Sequence, residues 1–252
     1  MPLSWSTKRQ FFFLSIITII FIAVFFGFFF SPSAPSCIDG KQNQDEEGID
    51  CGGGCSVLCI DSLNELTILW SRALPAGNNI YDAAAFVENT NINAGVSRIA
   101  YRFKLYDNNN LLVTERAGTT FINSNERFMI FEGNIRVGNR VPKRAFLEFE
   151  KTPLWEKVFQ TPPPLEVRQT NLTENDGTTR LSAVVANRSP DNIFDIVFTV
   201  SLVDENGNVF AASKTELNEL LGGEEITLFF TWPRLFEKIP AQIIVSPRIR
   251  AL

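Results

Sequence analysis

The residues best equipped for chemistry are crowded into one short segment. Cys37, Cys51, Cys55 and Cys59 are the only cysteines, and Asp39, Asn43, Asp45, Glu47 and Asp50 lie among them. Clustered thiols either ligate a metal or pair with one another. The chain has no histidine, which removes Cys₂His₂ and Cys₃His zinc sites. A Cys₄ site needs two close pairs, and thirteen residues separate Cys37 from Cys51. Disulfides are therefore expected, with their pairing open, and with them an oxidising compartment. The oxygen-bearing side chains, with Gly40 and Gly48 to permit tight turns, have the chemistry of a calcium site, although their spacing departs from an EF-hand loop. The plainer alternative is an acidic, solvated loop held by cross-links. Calcium is the one cofactor the sequence raises.

Elsewhere there is little for catalysis. Without histidine no Ser-His-Asp or Cys-His arrangement exists. Gly52-Gly53-Gly54 sits between cysteines and not after a strand, so it does not read as a phosphate loop. Carboxylate pairs such as Glu46-Glu47 and Glu224-Glu225 read as solvated turn charges. Lys and Arg number 23 against 28 Asp and Glu, and the net charge of −5 gives no reason to expect nucleic acid. No small-molecule substrate is evident, and the chain is not expected to be an enzyme. Trp155, Trp232 and Phe236 suit either an exposed contact patch or the filling of a β-core or a joint between domains. Asn171-Leu172-Thr173 and Asn187-Arg188-Ser189 are formal glycosylation sequons.

The element that must carry all this begins at Phe11, where twenty uncharged residues run to Phe30 directly after Lys8 and Arg9. As a helix rising about 1.5 Å per residue it is about 30 Å long, the thickness of a bilayer's hydrocarbon core. Sixteen of its residues are Phe, Ile, Leu or Val. At about −0.3 to −0.6 kcal/mol each they favour insertion by about 5 to 10 kcal/mol, which Ser15, Thr18 and Gly27 do not offset. The nearby charges lie on the N-terminal side, so the tail is expected in the cytoplasm and the C-terminal bulk outside. A cleaved signal peptide also opens on a basic segment. Its apolar core usually runs about 7 to 15 residues, however, and no A-x-A-like site follows this one, where Ala34 and Ser36 flank Pro35.

After Cys59 the pattern becomes that of strands, and it occurs twice. Ile99, Tyr101, Phe103 and Leu105 alternate with polar residues and end at Asp107-Asn108-Asn109-Asn110. Ninety-seven residues later Ile196, Phe198, Val200 and Leu202 do the same and end at Asp204-Glu205-Asn206-Gly207. Ala83, Ala85 and Val87 leading to Asn89 match Leu181, Ala183 and Val185 leading to Asn187. Phe128 to Phe131 matches Ile226 to Phe229, and Phe146 to Phe149 matches Ile243 to Ser246. Each unit offers six or seven strands over roughly 90 residues, which predicts an all-β chain of two tandem antiparallel β-sandwiches behind one transmembrane helix. Thr161-Pro162-Pro163-Pro164 separates the units as a stiff spacer.

Two family resemblances follow from these residues. The segment from Cys37 to Cys59 resembles a short Cys-rich element, C-x-D-G-x-x-N-x-x-E-x-G-x-D-C-G-G-x-C, that recurs near the membrane or beside repeat domains in bacterial surface proteins. Phe103-Lys104-Leu105-Tyr106-Asp107 is similar to the F-x-L-Y-D signature of small immunoglobulin-like domains of prokaryotic surface proteins, and Val87-Glu88-Asn89 looks like their V-x-N turn. The second unit keeps Val185-Ala186-Asn187, Leu202 and Asp204 but replaces the Phe and Tyr. The resemblance implies an extracytoplasmic binding or spacer module with no catalytic residue to carry over.

The expected layout is a cytoplasmic tail at 1–10, a transmembrane helix at 11–30, a linker and Cys-rich disulfide element at 31–61, one Ig-like sandwich at 62–160, a proline linker at 161–164 and a second sandwich at 165–252. The expected role is non-enzymatic: a single-pass cell-membrane protein displaying its domains to a protein partner or a surface. The alternative is a structural subunit of an envelope complex, of secretion or pilus type, held through its membrane helix.

Overall fold

Nothing between Ser4 and Gln10 breaks a helix, and α1 begins accordingly at Trp5, ahead of the apolar run, and continues to Phe29. The computed structural model describes residues 4–29, 36–43, 45–159 and 162–251. The start of the tail, the linker with Ala34 and Pro35, and Thr161 lie outside the described residues. From Trp5 to Phe26 the helix is long and apolar enough to cross a membrane, and none of it is buried within the molecule. A membrane anchor and a signal sequence both fit such a helix near an N-terminus. Ser15 and Thr18 donate their hydroxyls to the carbonyls of Phe12 and Leu14 at 2.8 and 2.9 Å. Neither therefore leaves an unpaired donor on the helix's apolar surface.

The chain divides into two compact units, residues 1–54 and 55–252. In the first, the helix is followed by a turn-rich loop in which an antiparallel bridge joins Gly48 and Cys51.

The second unit is all β. Its first half holds β1 (Thr67–Gly77), β2 (Ile80–Asn89), β3 (Ala94–Tyr106), β4 (Leu112–Ile122), β5 (Glu126–Arg136), β6 (Arg144–Phe149) and the short β7 (Glu156–Lys157). The second half holds β8 (Leu165–Asn175), β9 (Thr178–Asn187), β10 (Ile193–Val203), β11 (Val209–Leu220), β12 (Glu225–Trp232) and β13 (Gln242–Arg248). One sheet of each half runs β1-β2-β5 or β8-β9-β12, the other β4-β3-β6 or β11-β10-β13, so the two halves share one topology. Register repeats as well. Val87 pairs with Phe128 as Val185 pairs with Ile226, and Phe103 pairs with Leu147 as Val200 pairs with Val245.

Alternation puts every second residue of β2, β3 and their counterparts inward. Phe103, Leu105, Val87 and Phe128 fill the first core with Trp155, and Phe198, Leu202, Leu181 and Phe230 fill the second with Trp232. Phe236 is partly buried against the second core. All three aromatics thus serve packing, as their bulk favours.

The proline link is not all that joins the halves. The outer face of β1-β2-β5, with Leu74, Ala84, Met129 and Phe131, packs on Ala212 of β11. Around it Trp70 stacks on Phe86 with centroids 5.9 Å apart, and Arg72 donates to the Val209 carbonyl and Asn208 Oδ1.

Candidate functional site

The residues that carry the family resemblance turn out to be tied to their own backbone. Asn89 ends β2 fully buried, donating through Nδ2 to the carbonyls of Ala94 and Asn123 at 2.8 and 2.7 Å and accepting at Oδ1 from the Asn91 backbone and side-chain amides. Asn187 ends β9 and does the same: Nδ2 donates to the carbonyls of Asp191, Leu220 and Leu221, and Oδ1 accepts from the Ser189 N–H and hydroxyl. Each amide thereby stitches three chain segments at one end of its sandwich. Because Asn187 is wholly buried, its sequon is closed in the folded chain, whereas Asn171 is exposed on β8.

The aspartates that close the signature strands act alike. Asp107 Oδ1 accepts from the backbone N–H groups of Asn109 and Leu111, each at 2.9 Å, while Asp204 Oδ1 accepts from Asn206 and Asn208 at 3.0 Å. The turns between need a left-handed residue, supplied by Asn110 at φ 61° and Gly207 at φ 78°. Asp204 also pairs with Lys238 Nζ at 3.0 Å, which, ahead of its backbone bonds, holds its carboxyl below the usual carboxylate range. Phe103, Leu105 and Leu202 are buried core residues, and Tyr106 meets Phe146 edge to face.

In the Cys-rich loop all four cysteines are disulfide-bonded, so none offers a thiolate. The structure brings Asp39, Asn43 and Asp50 together. Asn43 Nδ2 donates to Asp39 Oδ2 at 2.9 Å, which is the main cause holding the Asp39 carboxyl below its ordinary range. The Asp50 carboxylate accepts from the backbone N–H groups of Asp39 and Gly40. Glu46, absent from the sequence-derived set, is buried and accepts from Asn43 N. Asp45 and Glu47 lie elsewhere in the loop, Glu47 against Gly52 and the Asp45 backbone against Gly53, where any side chain would collide with them. With Asp39 Oδ1 accepting from Lys41 N at 3.0 Å, three carboxylates, those of Asp39, Glu46 and Asp50, staple backbone amides. Adding EGTA to the full-length protein is expected to leave its melting temperature unchanged by scanning calorimetry. A drop of several degrees would show a bound calcium ion doing that stapling instead.

Asp82 is the buried acid of the first sandwich. It sits on β2 where the pairing with β5 is bulged, and its Oδ1 accepts from Asn134 N at 3.0 Å. Burial pushes its carboxyl up to about 6, against the smaller opposing pull of that hydrogen bond. A raised folded value means that the native state holds the proton more tightly than the unfolded chain. The resulting stability is complete below about pH 4 and is lost as pH rises through 6, by up to about 3 kcal/mol. Asp82→Asn keeps the acceptor and loses the charge. Urea unfolding should therefore show the variant more stable than wild type at pH 7.5 and equal to it near pH 4; a parallel offset at both values would assign the effect to packing. Tyr101 is likewise pushed up, by burial first and then by its hydrogen bond to Glu132 Oε1 at 2.8 Å.

What the sequence did not signal is Arg248, at the end of β13. Its side chain crosses into the first sandwich, where Nε and Nη2 donate to the two oxygens of Glu126 at 2.8 and 3.0 Å and Nη2 also donates to the Phe121 carbonyl. The guanidinium lies 4.3 and 3.9 Å from the ring centroids of Phe121 and Phe128. Beyond it Asn123 binds the backbone of Ile249 and Ala251 through both side-chain atoms. One buried arginine in the last strand gives no periodic or motif signal.

No protein-family model matches the chain, and no curated protein matches it. Among solved structures it is similar to a transglutaminase from red sea bream, at 11% identity and a TM-score of 0.24, over 75% of this chain and 30% of that one. A likeness so weak assigns neither fold nor activity.

Proposed function

We propose that this chain is a membrane-anchored, extracytoplasmic, non-enzymatic protein that presents two immunoglobulin-like domains for protein binding or cell-surface adhesion. One observation carries the reading: an unbroken apolar helix with no part of it buried in the molecule, whose natural solvent is lipid. The disulfides support placing the Cys-rich loop on the oxidising side of that membrane. The resemblance to F-x-L-Y-D domains gains support from the two Asn stitches and the two Asp turn locks, which explain that motif as scaffold. A scaffold of this kind leaves loops at the sandwich ends and unpaired sheet edges to meet a partner.

In-cell crosslinking of the full-length protein, with partners identified by mass spectrometry, tests the reading when repeated with α1 replaced by a polyleucine helix. Partners retained by the exchanged protein place recognition in the β-rich unit. Their loss would instead support the envelope-subunit reading, in which the Phe-rich helix itself is recognised. Thiols that alkylate freely without reductant would remove the extracytoplasmic placement.

A further inference from the structure

Between the two sandwiches lies a cleft of about 400 Å³, walled by β3, β4 and β5 on one side and by β10, β11 and the end of β13 on the other. Its volume and its place at a joint between domains are those of small-molecule sites. Thr199, on β10, lines it. That residue is 2% exposed, and its hydroxyl is buried with no hydrogen-bond partner among the described residues. A buried hydroxyl left unpaired marks a position for a group the protein itself does not supply.

Charge narrows the class. Arg98, Lys214, Arg248 and Arg250 stand on the walls against Asp195 and Glu216, an excess of cations in a chain of net charge −5. Arg248 is committed to Glu126 and Lys214 to Glu216. Arg98 and Arg250 form no ion pair among the described residues and remain available as counter-charges. The rest of the wall mixes the apolar Phe121, Met129, Phe131 and Leu217 with the polar Thr119, Thr120 and Asn218.

We propose that this cleft binds a small organic anion, Arg98 and Arg250 supplying the counter-charge, Thr199 a hydrogen bond and the aromatic wall a seat for an apolar body. The site adds a ligand to the display role and does not depend on it.

The test uses the full-length protein in nanodiscs, with empty nanodiscs as the blank, and equilibrium dialysis of benzoate, phenyl phosphate, neutral benzamide and cationic benzylamine. At least one anion should bind in the micromolar to millimolar range and about tenfold or more tightly than benzamide, with benzylamine not binding. Hydrogen-exchange mass spectrometry should then show protection in the segments around Thr119–Phe121 and Asp195–Thr199. Thr199→Val, which preserves shape, and Arg98→Gln, at an exposed position, should each weaken the anion about tenfold, with the melting temperature unchanged for Arg98→Gln and not lowered for Thr199→Val, which removes a buried unpaired hydroxyl. The proposal is overturned if neither anion binds, if benzamide or benzylamine binds equally well, if protection falls elsewhere, or if both variants bind like wild type.

Discussion

Replacing Arg248 with alanine is expected to cost the β-rich unit about 3 to 5 kcal/mol and to uncouple its two sandwiches. Only 4% of the side chain is exposed, and its partner Glu126 is 17% exposed. Truncation would leave that carboxylate in a poorly solvated site facing only the Asn123 N–H. It would also strip the Phe121 carbonyl of a donor and leave a void between two phenylalanine rings. Lysine should not rescue the loss, because a single ammonium cannot meet two carboxylate oxygens and a carbonyl in one plane. Each sandwich has its own core, so the variant should unfold in two urea transitions where wild type is expected to show one. Glu126→Gln should soften the penalty of Arg248→Ala, and the double-mutant cycle gives the coupling. A single transition within 1 kcal/mol of wild type would show that the apolar contact around Ala212 suffices alone.

Legibility in the sequence followed burial. The strands read directly are those with one face in a core: β2 and β9, β3 and β10, and the inward positions of β5, β6, β12 and β13. Their alternation repeats at an offset constant to within a residue or two, so two copies of one sandwich are visible in the sequence alone. β8 escaped because nearly all of it is exposed, and β1 because both its faces are partly covered, the outer one by the second sandwich. Neither burial pattern alternates. The joint between sandwiches was hidden for a related reason. Arg72, Arg248 and Asn123 have the composition of surface residues, and only the docking of one half on the other turns them inward. The Cys-rich loop shows the same limit: its residue types announced a cluster of oxygens, but whether those oxygens face an ion or a backbone amide depends on turns at Gly40, Asp50 and Gly52 that spacing does not determine.

The asparagines that end β2 and β9, one of which also lies in a formal glycosylation sequon, are where a single amide is expected to matter most. Asn187→Ala leaves the Ser189 N–H and the carbonyls of Leu220 and Leu221 without the amide atoms they meet, at a position itself wholly buried, while the Ser189 hydroxyl keeps the Asp191 carbonyl. With about 1 to 3 kcal/mol for each buried group left unsatisfied, a loss of at least about 3 kcal/mol follows. Asn187→Asp separates hydrogen bonding from volume, since it fills the same space with a group that only accepts when ionised. Facing three carbonyls it should be worse than alanine at pH 7 and recover on acidification as the carboxyl protonates and donates again. Asn89→Ala should cost more than its counterpart. The Asn123 carbonyl it holds at 2.7 Å belongs to the residue that grips Ile249 and Ala251, so losing the amide loosens both one end of the first sandwich and the seat of the second. Chemical denaturation of the two alanine variants, each alone and combined with Arg248→Ala, decides this. Asn89→Ala should be non-additive with Arg248→Ala and Asn187→Ala additive, because only the former pair is linked, through Asn123, whose carbonyl meets Asn89 and whose N–H meets Glu126, the partner of Arg248.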